Sequence, residues 1–111
     1  MAVALYIKLK WRNSIIEELK HLFQELFVIL EENGDSSYNP QRRILKRVLD
    51  IIEESDNSID KLAEVSCEYK KLFSPKGGLS EFYVWKNDFT ERKKINDSLD
   101  NIKTRLWQIL G

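Results

Sequence analysis

Cysteine and histidine are almost absent from this chain of 111 residues, which holds one of each, Cys67 and His21. A lone cysteine excludes an internal disulfide and a thiolate metal cluster, and it fits a reducing compartment. Without a second histidine or a nearby cysteine–histidine pair, a nucleophile–base triad finds no support. Net charge is missing as well. Lys and Arg number 18 and Asp and Glu also 18, so no whole-protein field draws the chain towards nucleic acid or an anionic membrane. No apolar run approaches the ~20 residues of a membrane span. Residues 2–7 are too few for the core of a secretion signal and lack a preceding basic segment. Gly77-Gly78 leads into neither a phosphate-binding loop nor a dinucleotide fingerprint. These absences point to a cytoplasmic protein that is not an enzyme and needs no metal or cofactor.

What the chain does have is apolar periodicity. With 42% hydrophobic residues it can build one modest core, and 1–111 reads as a single helical domain. Residues 1–12 alternate weakly, with Leu5, Ile7, Leu9 and Trp11 set against Tyr6, Lys8, Lys10 and Arg12. A short strand, a loose arm and an early helical turn all fit, and the period does not choose among them. Ser14-Ile15-Ile16-Glu17 matches a capping box, in which the serine oxygen accepts from a free N–H of the first turn and the glutamate reaches back. It predicts a helix start, then a wide apolar stripe through Ile15, Leu19, Leu22, Leu26 and Ile29, ended by Gly34 in the left-handed conformation.

Asn39-Pro40 predicts a second helix over 40–54, with the asparagine as cap and Ile44, Leu45, Val48, Leu49, Ile51 and Ile52 inward. Ser55-Asp56-Asn57-Ser58 breaks the pattern. Ile59, Leu62, Val65, Tyr69, Leu72 and Phe73 carry a third helix, stopped by Ser74-Pro75-Lys76-Gly77-Gly78. Residues 79–87 have the aromatic and β-branched character of a strand but no second strand to pair with. The expectation is a mostly non-helical segment whose aromatics pack on the end of the bundle. Asp88-Phe89-Thr90-Glu91 predicts the cap of a fourth helix with Phe89, Ile95, Leu99, Ile102, Leu106 and Ile109 inward. Asn96-Asp97-Ser98 marks a place where that helix kinks or is re-capped. Short connections imply antiparallel neighbours, hence an all-α, four-helix up-down bundle with an aromatic-rich loop between helices three and four.

Candidate chemistry is sparse. His21 and Glu25 lie one helical turn apart, but two ligands are too few for a metal, and a surface helix explains them better. Cys67 has mixed charge around it and reads as a small half-buried core residue rather than a nucleophile. Carboxylate placement says more. Glu31 and Glu32 close helix one and Glu53 and Glu54 close helix two, where the helix dipole disfavours negative charge by ~0.3–1 kcal/mol each.

In the bundle, Glu31, Glu32, Asp35 and Tyr38 share an end with Glu81, Tyr83, Trp85, Asp88 and Glu91. Acids interleaved with large aromatics suit a basic protein surface, since the aromatics anchor while the acids steer and pair. The competing reading has Arg42 and Arg43 neutralising Glu31 and Glu32 while Tyr83 and Trp85 cap the core. The residues singled out for a partner are Glu31, Glu32, Asp35, Tyr38, Tyr83, Trp85 and Asp88. At the other end, Glu53, Glu54, Asp56, Asp60 and Glu64 read as solvated helix termini with few bases nearby. Arg42, Arg43, Lys46 and Arg47 line one face of helix two and suit phosphates, but four charges on a neutral chain without a recognition helix make nucleic acid the less favoured partner.

Gly78-Leu79-Ser80-Glu81-Phe82-Tyr83-Val84-Trp85, followed by Asp88-Phe89, Glu91-Arg92, Asn96, Leu99 and Leu106-Trp107, resembles the C-terminal signature of a family of small bacterial helical proteins. Its core has the form GGLS, an acid, Phe, an aromatic, any residue and Trp. Some proteins of this kind act as immunity proteins encoded beside polymorphic or contact-dependent growth-inhibition toxins. The resemblance covers about the last third of the chain and brings no catalytic residue with it. It implies a cytosolic immunity protein that binds a cognate toxin domain and occludes its active site, the cleft of a nuclease being basic and open to carboxylates that take the place of phosphates. A regulatory or adaptor bundle using the same surface is the alternative.

Overall fold

The computed structural model describes residues 2–54, 59–73 and 78–111, and for 2–13, 59 and 60 the course of the backbone alone. Among the described residues the chain is all-α, with four helices: α1 (Ala2–Asn33), α2 (Asn39–Glu53), α3 (Ile59–Leu72) and α4 (Phe89–Leu110). Two 3-10 turns, Ser36–Tyr38 and Leu79–Glu81, stand at the approaches to α2 and to an extended segment before α4. The breaks expected at 55–58 and 74–77 lie outside the described residues.

One core runs through the molecule. Leu19, Phe23, Leu26 and Leu30 form the buried stripe of α1, at alternating spacings of four and three. Against it lie Leu45, Val48, Ile51 and Ile52 of α2, Val65, Tyr69 and Leu72 of α3, Leu79, Phe82 and Val84 of the segment before α4, and Leu99, Ile102 and Leu106 of α4. Each such side chain contributes roughly 1.5–3 kcal/mol of burial. Neighbours run antiparallel, as short connections require. Lys20 pairs with Glu53 at 2.7 Å while Arg42 reaches the Leu30 carbonyl, setting α1 against α2. Arg47 meets Glu68 and Lys61 meets the Ile52 carbonyl, setting α2 against α3. Glu18 pairs with Arg105, setting the first half of α1 against the end of α4.

Several local expectations give way. Of the three readings left open for residues 1–12, the backbone of 2–12 takes the helical one, and Ser14 is an exposed interior residue of α1 rather than its cap. The capping-box match was local, and a serine facing water is tolerated in a helix that has already begun. Gly34 is not left-handed. A Cβ there would meet the Leu30 carbonyl oxygen at 2.8 Å and Arg42 Nη2 at 3.2 Å, so glycine serves close approach instead. Tyr38, not Asn39, is the residue before α2, and it makes no side-chain cap; Asn39 Oδ1 accepts from Arg42 Nη1. Phe89 is 64% exposed and outside the core. α4 runs unbroken through Asn96, Asp97 and Ser98. Cys67 is exposed rather than half-buried. Glu53, read as a solvated terminus, has Lys20 as its base.

Candidate partner-binding site

The α1–α2 junction is organised by Arg42. Its side chain keeps only 15% of its exposure, and its Nε lies 2.9 Å from Glu31 Oε1. Nη1 donates to the Asp35 carbonyl at 2.8 Å and to Asn39 Oδ1 at 2.9 Å. Nη2 donates to the carbonyls of Leu30, at 3.0 Å, and Gly34. The final carbonyls of a helix lack intrahelical donors, and a planar guanidinium supplies several at once. Asp35 serves the same junction. Its Oδ1 accepts the Ser37 N–H at 2.9 Å and the Ser37 hydroxyl, and those bonds, the hydroxyl's first, hold its carboxyl below the usual carboxylate range.

The stretch before α4 is built from the opposite direction. Asp88 caps α4 as its sequence implies, Oδ1 accepting the Thr90 N–H at 2.9 Å. Upstream, the chain alternates: Phe82 and Val84 are buried, Tyr83 and Trp85 are 59% and 69% exposed. Among the described residues no strand pairs with it, and side chains of α4 take a strand's place. Asn96, itself buried, accepts the Val84 N–H at 2.9 Å and donates to the Val84 carbonyl at 2.8 Å. Lys103 Nζ donates to the Phe82 carbonyl at 3.1 Å, and its partial burial lowers the ammonium's pKa. Ser80 donates to the carbonyl of Phe73, just beyond α3. Phe82 also meets Tyr38 edge to face, ring centroids 4.9 Å apart, which joins this segment to the α1–α2 junction.

On the outer side, Arg92 lies with its guanidinium carbon 4.4 Å from the Trp85 ring centroid and 5.3 Å from that of Phe89. Such cation–π contacts hold the side chains in one arrangement. Trp85 and Phe89 thus form an exposed aromatic pair joined by Arg92, with exposed Tyr83 two residues before Trp85 and Asp88 and Glu91 at the start of α4 beside it.

The sequence-derived residues therefore fall into two groups. Glu31, Asp35 and Tyr38 take part in the junction's own contacts. Glu32, Tyr83, Trp85 and Asp88 are exposed. Phe89 and Arg92 belong with the second group and were not foreseen. Phe89 was assigned inward, although its spacing of three to Arg92 puts both on one side of a helix, within reach of Trp85 in the extended chain four residues before Phe89. The basic face of α2 is largely engaged within the protein: Arg42 in the junction, Arg47 with Glu68 at 3.4 Å, Lys46 over Phe27. His21 is exposed, and among the described residues no group of three or more His, Cys, Asp or Glu is arranged to hold a metal ion. No helix among them is long and apolar enough to cross a membrane. Comparison with protein-family models, curated proteins and solved structures gives no significant match.

Proposed function

We propose that this chain is a non-catalytic protein-binding domain, and that its partner is a toxin domain which it neutralises, as the resemblance of its last third implies. The observation that carries the binding reading is the exposed pair of Trp85 and Phe89 around Arg92, with exposed Tyr83 two residues before Trp85. Exposed aromatics next to arginine have the composition of energetic centres of protein interfaces. They stand on backbone fixed by Asn96 and Lys103, so little ordering entropy is lost on binding. Asp88, Glu91 and Glu32 supply the acids that steer a basic surface. Glu31 and Asp35 act at one remove, by shaping the junction beneath Tyr38.

The test is co-expression with the C-terminal domain of the protein encoded immediately upstream, read by co-purification and growth. A stable complex with restored growth, weakened by salt, is the expected result. Trp85→Ala should then loosen the complex by about 2 kcal/mol or more, the scale of an interface centre. No complex and no rescue would remove the immunity reading and leave an adaptor or regulatory bundle using the same face. Measured affinity for DNA or RNA with a steep salt slope, lost in Arg43→Ala, would overturn the protein-binding reading itself.

A further inference from the structure

The segment beneath the exposed aromatics is extended chain whose outer edge has no neighbour among the described residues. Phe82 and Val84 face the core while Tyr83 and Trp85 face water, the period of extended chain. Phe82 has φ −64° and ψ 128°. In extended chain the N–H and C=O of one residue point to one edge, and those of the residues on either side point to the other. The edge of Phe82 and Val84 is occupied by Lys103 and Asn96 of α4. The opposite edge carries the N–H and C=O of Tyr83 and Trp85, whose backbones have no hydrogen-bond partner among the described residues. Two donor–acceptor pairs at a repeat of about 6.8 Å match another extended chain.

We infer that the partner is recognised by strand addition: an extended peptide segment bearing lysine or arginine pairs its backbone with the outer edge of residues 83–85. This rests on the protein-binding reading above and specifies how that site recognises its partner. Charge selects the basic segment. Glu81 ends the 3-10 turn just before this segment, and Asp88 and Glu91 lie at its other end, all exposed. Of the cations close by, Lys86 is half-buried and falls on the side of Phe82 and Val84 in the alternation, Lys103 bonds the carbonyls of Ser80 and Phe82, Arg92 lies over Trp85 and Phe89, and Lys93 pairs with Asp97. Charge also argues against a second copy of this chain. In antiparallel self-pairing centred on Val84, Glu81 would fall opposite Asn87 of the other copy and meet no cation.

The experiment uses the full chain, uniformly labelled with nitrogen-15, and a synthetic peptide of about ten residues alternating lysine with valine or threonine. On addition of peptide, the amides of Tyr83 and Trp85 should shift downfield and exchange more slowly, while that of Val84, already bonded to Asn96, stays unchanged. A peptide with proline at its centre should produce neither effect, having lost a donor. Trp85→Pro is compared with Trp85→Ala, since both lose the indole but only proline removes the outward N–H, and an extended Val84 accepts a following proline. The proline variant should bind the peptide roughly tenfold more weakly than the alanine variant. Equal binding of the two variants, equal effects of the two peptides, or no shift at Tyr83 and Trp85 would each overturn strand addition. Shifts that depend on protein concentration without peptide would give the edge to a second copy and overturn it too. Toxin neutralisation that depends on Trp85 but is indifferent to Trp85→Pro against Trp85→Ala would sink this mode while leaving the proposed function standing. Failure of the toxin to bind a chain that still takes up the strand peptide would do the reverse.

Discussion

The two approaches to a helix in this bundle make opposite use of their polar groups. At the α1–α2 junction, Arg42, Glu31, Asp35 and Asn39 are turned on one another and on the carbonyls that end α1. Before α4, the polar groups that hold the chain come from beneath, from Asn96 and Lys103, and the upper surface keeps Tyr83, Trp85 and Phe89 in water. The first arrangement closes a connection and leaves little for a partner. The second leaves a fixed surface unsatisfied. Exposure of an acid or an aromatic is thus a poor guide to function until one asks what its neighbours already bind.

The sharpest way to break this contrast is to remove the support under the second region. Asn96→Ala leaves both polar groups of buried Val84 without partners, at roughly 1–3 kcal/mol each. We expect a loss of about 3 kcal/mol in urea denaturation together with loss of partner binding. Arg42→Ala should rank second. It strips the carbonyls of Leu30, Gly34 and Asp35 of a charged donor, an effect of about 2 kcal/mol, yet should leave binding by the folded fraction intact. Gly34→Ala drives a methyl into the same space and should cost about 1 kcal/mol in the same measurement.

Trp85→Ala should invert that pattern, with stability changed by no more than ~1 kcal/mol through the lost Arg92 contact and binding weakened by about 2 kcal/mol or more. A Trp85→Ala protein that unfolds with the ease of Asn96→Ala would assign the indole to the core and dissolve the comparison. The smallest effect is expected at neither region. Glu18 has its carboxyl lowered by the hydrogen bond from Arg105, so its contribution is complete at neutral pH and lost as pH falls through that lowered value. The pair is largely exposed, and Glu18→Gln should remove less than ~1 kcal/mol and flatten the acid limb of the stability curve accordingly.

The fold was legible where a rule was both local and repeated. Apolar spacing located every helix, and Asp88 was read correctly as a cap because its own side chain makes the bond. Ser14 misled because an identical local pattern sits inside a helix that had already started, and only the run from Ala2 reveals it. The end of α1 could not be read from α1. Its carbonyls are bonded by Arg42, twelve residues beyond Leu30, and no periodicity announces such a reach. The candidate site was half legible for the same reason. The alternation of Phe82, Tyr83, Val84 and Trp85 is plain in the sequence, but which of the pairs faces inward depends on Asn96, a residue whose sequence context suggested a kink.

Asn96 and Val84 are separated by a fixed twelve residues, and their two hydrogen bonds make that stretch a ruler. Extended chain repeats every two residues, so lengthening the stretch by one near the helix start can be absorbed there, whereas one extra residue between Phe82 and Val84 turns over the chain upstream of Val84. In variants carrying such insertions, with Val84 held by Asn96, Tyr83 would be driven inward and Phe82 outward. This loop should therefore tolerate changes of side chain far better than changes of length, the reverse of an ordinary surface connection, and an insertion scan read by partner binding would map the boundary to a single peptide bond.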